Sequence, residues 1–179
     1  TGLGGIILIV AVVVAVQLYA IERARGGRLG AAVLPRARCC ALSQTSERNA
    51  HLVRVTEESM YLGIKQAVVG HRLSDISHAI QQHVESAGYS VVTEFVGHGI
   101  GRQLHEEPQV PNYGKPGQGP RLQVGMVLAI EPMVNVGKAA VKVLDDRWTA
   151  VTVDGSLSAH FEHTIAIQPS GPPRILSQL

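Results

Sequence analysis

A chain of 179 residues can bury one substantial core but not two large ones. Hydrophobic residues make up 45% and charged residues 17%, a balance too apolar for a disordered tail or a nucleic-acid arm. The formal charge is only +2, with no concentration of Lys and Arg after residue 50, which argues against direct binding of nucleic acid.

Residues 1–49 read as an apolar N-terminal segment followed by an irregular linker. From Leu3 to Ile21 the only clearly polar side chain is Gln17, and Arg23, Arg25 and Arg28 follow at once. The run is just long enough for a transmembrane helix, whose trailing arginines would anchor the chain with its domain facing the cytoplasm. Its many β-branched residues suit a buried strand equally well. With no basic residue ahead of it and no convincing cleavage site after it, it does not read as a signal peptide. The adjacent Cys39 and Cys40 are poorly placed to bridge each other and fit no Cys/His finger spacing, so the expected location is cytoplasmic.

A domain is expected over residues 50–168. Leu52 to Val69 has a helical pattern that Gly70 ends. A second helix is expected with Ser74 as its cap and Asp75 in its first turn, where exposed amides favour a carboxylate. Ile76, Ala79, Ile80, Val84 and Ala87 give it a core-facing stripe, and Gly88 a natural stop. Tyr89–Val96 reads as a strand leading into His98, followed by a Pro- and Gly-rich loop from Pro108 to Pro120. Further strands are expected at Met126–Ile130, Ala139–Leu144, Trp148–Val153 and His160–Ile167. Turn signals at Asn135-Val136-Gly137, Asp145-Asp146 and Asp154-Gly155 separate them. Two helices followed by several strands imply an α+β fold, the helices packed on one face of an antiparallel sheet. Residues 169–179, with Pro169, Pro172 and Pro173, read as a C-terminal tail.

Three residues with metal-binding chemistry stand at the edges of these apolar runs. His98 lies between two glycines that permit close approach, and a neutral imidazole offers the lone pair a borderline divalent ion needs. Glu131 follows Met126–Ile130, where a buried carboxylate is costly unless paired or metal-bound, and Pro132 stops the ladder beside it. Glu162 has a similar setting; His160 shares its face in an extended strand, whereas His163 faces away. Each has a structural reading too: a turn histidine for His98, a paired carboxylate for either glutamate. His105, beside Glu106 and Glu107, fits a substrate contact or a solvated loop. Trp148 fits a pocket wall or a hairpin aromatic. A serine-hydrolase elbow and a phosphate loop are both absent, since no Gly-x-Ser-x-Gly occurs and Gly137-Lys138 stands alone.

Four stretches together resemble type I methionine aminopeptidase. They are Tyr89-Ser-Val-Val-Thr-Glu-Phe-Val-Gly-His98-Gly-Ile-Gly-Arg, Leu104-His105-Glu-Glu-Pro-Gln-Val-Pro, Gly125-Met-Val-Leu-Ala-Ile-Glu131-Pro-Met-Val-Asn135, and Leu157-Ser-Ala-His-Phe-Glu162-His-Thr-Ile. They are long, in order and correctly spaced, and the likeness spans residues 50–168. It implies the C-terminal half of the family's pita-bread fold and a hydrolase that removes N-terminal methionine from peptides and nascent chains by metal-hydroxide attack. The family holds two divalent ions (Co, Mn, Fe or Zn) with two aspartates, one histidine and two glutamates. Carried over by motif, His98, Glu131 and Glu162 are metal ligands, Glu131 also moving a proton and Glu162 bridging both ions. His105 contacts the scissile amide or the transition state, and Trp148 lies near the substrate entrance. Many relatives carry an aromatic residue before that histidine; Leu104 stands there instead and alters the pocket wall.

One departure matters. The family's two aspartates come from the first half of its fold, yet residues 1–50 contain no aspartate and the first is Asp75, in a helix. The resemblance therefore implies an incomplete ligand set, able to hold one ion or none, with a complementing chain as one source of the rest. The alternative expectation is a catalytically inactive module of pita-bread descent that binds peptides or is tethered to a membrane.

Overall fold

The computed structural model describes residues 47–177, which form two helices and ten short strands. The segment Leu3–Ile21 and the pair Cys39 and Cys40 lie outside the described residues. Among those residues, no helix is long and apolar enough to cross a membrane.

Helix α1 (Glu47–Gln66) buries Leu52, Val55, Met60 and Ile64 along one side. It starts before the expected Leu52 and stops at Gln66 rather than Val69. The chain tightens there, with the Ala67 amide bonded to the Ile64 carbonyl and that of Val68 to Gln66. Helix α2 (Leu73–Ser86) presents Ile76, Ile80 and Val84 to the core, each fully buried. Its cap corrects the expectation for Ser74. Arg72 is the N-cap residue, and its amide donates to Asp75 Oδ2 at 2.7 Å, while the Ser74 hydroxyl donates to the Gln118 carbonyl at 2.9 Å. Asp75 thus satisfies the helix end from inside the first turn. Gly88 closes the helix with φ of +79°, a conformation other residues adopt at a cost.

The strands are β1 (Ser90–Val91), β2 (Gly97–Gly99), β3 (Glu106–Val110), β4 (Val127–Ile130), β5 (Met133–Asn135), β6 (Val141–Val143), β7 (Ala150–Thr152), β8 (Ser158–His160), β9 (His163–Ala166) and β10 (Arg174–Ile175). They form a three-stranded sheet in the order β1-β5-β8, a five-stranded sheet in the order β10-β9-β4-β2-β3, and a separate β6-β7 hairpin. All pairings are antiparallel. The expected α+β architecture, two helices against antiparallel sheets, is what forms.

Two expected strands divide, and the division builds the site. Tyr89–Val96 becomes β1 and the approach to β2, because the chain bends at Thr93-Glu94, where the Glu94 carboxylate accepts from the Thr93 amide and hydroxyl. His160–Ile167 becomes the end of β8 and then β9. The strand expected at Met126–Ile130 forms as β4 and stops there, and after Glu131-Pro132 the chain resumes as β5. In register, Ile130 pairs with His163 and Met133 with His160. Glu131-Pro132 and Phe161-Glu162 therefore face each other where two neighbouring passes of the chain leave one sheet and enter the other. The Phe161 amide reaches the Pro132 carbonyl at 3.3 Å across this gap. Pro132 has no amide to continue a ladder, which fits it to the break.

Three strands were not expected: β3, β5 and β10. β3 contains Glu106, Glu107 and Pro108, a composition tolerated because β3 is the outer strand of its sheet. β5 ends in Asn135, expected as a turn residue; its side-chain amide does make a turn just beyond, donating to the carbonyls of Lys138 and Ala139 at 2.9 and 3.1 Å. The stretch after Gln168 supplies β10, which pairs with β9. Against these sheets the helices bury a core that includes Leu128, Ile130, Val134, Ile165 and Ile167. Burying each such side chain contributes about 1.5–3 kcal/mol.

Candidate metal centre

His98 occupies the middle of β2, inside a strand rather than in a loop after one. Its flanking glycines are required by close packing of backbone. A Cβ on Gly97 would stand 2.3 Å from the Ala129 carbonyl oxygen, and one on Gly99 would stand 2.3 Å from that of Glu107. His98 is buried, and its Nδ1 lies 2.9 Å from the Gly99 carbonyl. A carbonyl only accepts, so this bond places the ring proton on Nδ1. In the neutral ring the lone pair is then on Nε2. Nε2 faces Glu131 Oε1 at 3.5 Å.

The Glu131 carboxylate sits between two imidazoles. Oε1 faces His98, and Oε2 faces His160 Nε2 at 3.8 Å. Neither approach is a good direct hydrogen bond. Nor are they ion pairs near neutral pH, because burial pushes the His160 pKa down to about 4 and lowers that of His98, so both rings are uncharged. Burial first, and then the neighbouring Glu162 carboxylate, hold the Glu131 pKa well above the usual carboxylate range. The Glu131 backbone is fixed by Asn112, whose side-chain amide donates to the Glu131 carbonyl at 3.2 Å.

Glu162 and His160 complete the cluster from the neighbouring pass. One donor atom from each of Glu131, His160 and Glu162 lies within 4.8 Å of the others. His163 turns the other way, as the strand alternation required: its ring nitrogens meet the Tyr61 hydroxyl of α1 at 3.1 Å and the Ser177 hydroxyl at 2.8 Å. Those two contacts fix the chain immediately after Glu162. His105 is exposed, with its ring centroid 4.1 Å from that of His98. Leu104 packs on a small cluster of Ile100 and Ala129 beside β2 and β4. Trp148 lies in the turn of the β6-β7 hairpin and is 62% exposed.

The fold thus gathers His98, Glu131, Glu162, His105 and Leu104 around one crossover and sets Trp148 on a different sheet. The residue that sequence reasoning left out of this cluster is His160, although its shared face with Glu162 was the signal for it. Among the described residues, the gathered group contains no aspartate. Two buried carboxylates side by side are unstable as a pair of anions, and imidazole nitrogens with carboxylate oxygens suit a borderline divalent ion. The donor set fits a metal.

A sequence profile of metallopeptidase family M24 matches residues 26–169. The methionine aminopeptidase of Clostridium perfringens is 60% identical over 136 residues, which cover 76% of this chain and 55% of that protein. Methionine aminopeptidase 1 of Bacillus subtilis is 61% identical over 126 residues, covering 70% and 51%. The crystal structure of the methionine aminopeptidase from Thermotoga maritima superposes with a TM-score of 0.74 at 55% identity, covering 76% of this chain and 54% of that one. The chain spans about half the length of the curated relatives it matches.

Proposed function

The chain belongs to metallopeptidase family M24, and from that premise we propose that it carries metal-dependent methionine aminopeptidase chemistry, releasing methionine from the N-terminus of peptides and nascent chains. The observation that carries this reading is the crossover between two sheets, where His98 Nε2 faces Glu131 Oε1 at 3.5 Å and donor atoms of Glu131, His160 and Glu162 lie within 4.8 Å of one another. His98, Glu131 and Glu162 would hold a divalent ion. Such an ion supplies Lewis-acid polarisation of a peptide carbonyl and lowers the pKa of water near it.

The chain's own residues do the rest. Glu131 takes up and returns a proton during peptide cleavage. His98 keeps its Nε2 lone pair aimed inward through the bond from Nδ1 to Gly99. His105 is exposed beside His98 and is placed to hydrogen-bond the scissile amide. Leu104 forms part of the wall that receives the methionine side chain, and Trp148 stands at the substrate entrance. The working location under this reading is the cytoplasm. A second reading, a peptide-binding module without turnover, is favoured by the lack of any aspartate in the gathered group.

Metal content and methionine release from a Met-Ala peptide separate the two. The enzyme reading expects about one tightly bound ion and release that depends on added Co²⁺ or Mn²⁺. Peptide binding without release, at any metal concentration, would establish the second reading instead.

A further inference from the structure

His160 is a half-buried histidine whose Nε2 atom is itself buried and has no hydrogen-bond partner. That is an uncommon state for an imidazole, since a buried polar atom left unpaired costs about 1–3 kcal/mol. The atom is not hidden against apolar groups. It points at Glu131 Oε2, 3.8 Å away, and shares a space with Glu162 in which one donor from each residue lies within 4.8 Å of the others. Two donors that each sit about 2.1 Å from one ion are roughly 3.4 Å apart at the tetrahedral angle. The observed separations, 3.8 Å between His160 and Glu131 and no more than 4.8 Å within the group, would contract toward that arrangement around an ion.

We propose that His160 Nε2 is itself a ligand to a divalent ion held with Glu131 and Glu162, so that this chain assembles a three-ligand site from its own residues. The proposal rests on the reading of the crossover as a metal centre and deepens it. His160 lies outside the set implied by the resemblance, which drew on His98 and the two glutamates. It comes from the end of β8, paired with Met133 across the gap, so the same sheet change that places Glu162 places His160. An added imidazole raises the preference for Zn²⁺ or Co²⁺ over Mg²⁺, because nitrogen donors favour borderline ions. It also leaves Glu131 with an imidazole on each oxygen, His98 on Oε1 and His160 on Oε2.

The test uses the full 179-residue chain titrated with Co²⁺, read by calorimetry and by the visible absorption of the bound ion. His160→Phe, which keeps a ring and removes both nitrogens, is compared with Glu162→Gln. The expected result for His160→Phe is a loss of Co²⁺ affinity beyond about 100-fold, more than removal of a merely supporting partner produces, together with a changed absorption band. In the unaltered chain, the Nε2 resonance of ¹⁵N-labelled His160 should shift on adding Zn²⁺. That measurement still decides the matter where His160→Phe fails to fold. Unchanged affinity and spectrum in His160→Phe, with binding lost in Glu162→Gln, would overturn the ligand role while leaving the metal centre intact. A resonance unmoved by saturating Zn²⁺ would do the same. Absence of Co²⁺ binding by the unaltered chain would overturn both.

Discussion

The crossover and the β6-β7 hairpin both use short antiparallel strands, but they place side chains in opposite ways. At the crossover, where β4 and β5 run beside β9 and β8, Glu131, His98 and His160 are largely enclosed. On the hairpin, Val143, Leu144, Trp148 and Val153 are 50, 41, 62 and 56% exposed. Each inverts the usual partition of polar and apolar groups. The hairpin holds its shape through local bonds: Asp146 accepts from the amides of Trp148 and Thr149 and from the Thr149 hydroxyl. The crossover relies on chain segments far apart in sequence. What differs is the cost, since exposed apolar side chains are common while buried charge needs compensation.

The sharpest way to break this contrast is Glu162→Gln, which removes one carboxylate from the crossover. Metal retention on dialysis and methionine release should both fall by more than about 100-fold, and unchanged turnover would remove the role given to Glu162. Next comes Gly97→Ala, whose new methyl meets the Ala129 carbonyl. Urea unfolding should show a loss of about 1–3 kcal/mol, as overpacking produces. A wild-type midpoint would mean that β2 and β4 can part without penalty.

A smaller effect is expected from pH in the presence of a chelator. The Glu131 pKa is raised, so its contribution to stability is complete below the ordinary glutamate range and is lost as pH rises through the folded value. The pKa values of His98, His160 and His163 are lowered, so their contributions are present above about 6.5 and lost as pH falls, for His160 through about 4. From these groups, thermal stability should peak near pH 6.5 and decline on the alkaline side by at most about 1.4 kcal/mol per unit. Glu131→Gln should flatten that alkaline decline, and a decline that persists unchanged in the variant would assign it to another group. The smallest effect belongs to the hairpin. Trp148→Ala should change stability by less than about 0.5 kcal/mol while raising KM for Met-Ala peptides. A large loss of stability would place Trp148 in the packing rather than at the substrate entrance.

Much of this was legible in the sequence because it depends on local pattern. The stripe of Ile76, Ile80 and Val84 announced a helix face, and the apolar run ending at Glu131 announced a strand with a carboxylate at its edge. β3 was not legible, since Glu106, Glu107 and Pro108 carry no strand pattern and their position depends on an outer edge that only the assembled sheet provides. The division of His160–Ile167 was hidden for a related reason. Phe161-Glu162 looks like the interior of an alternating strand until its neighbour, Glu131-Pro132, is known. His160 was recognised as sharing a face with Glu162, but its second neighbour, Glu131, comes from another part of the chain. Pairwise proximity of that kind is a property of register.

The crossover also acts on the chain as a closure. Glu131 and Glu162 mark the start and finish of an excursion that includes β5, the exposed hairpin and β8. An ion joining them would tie off that loop and restrict the unfolded chain as a reversible cross-link does. Its grip is set by the free ion concentration, so the unfolding midpoint of the whole domain becomes a gauge of metal availability. Substitutions within the tied loop, Trp148 included, could then be compared with the tie fastened or released, simply by adding the ion or a chelator.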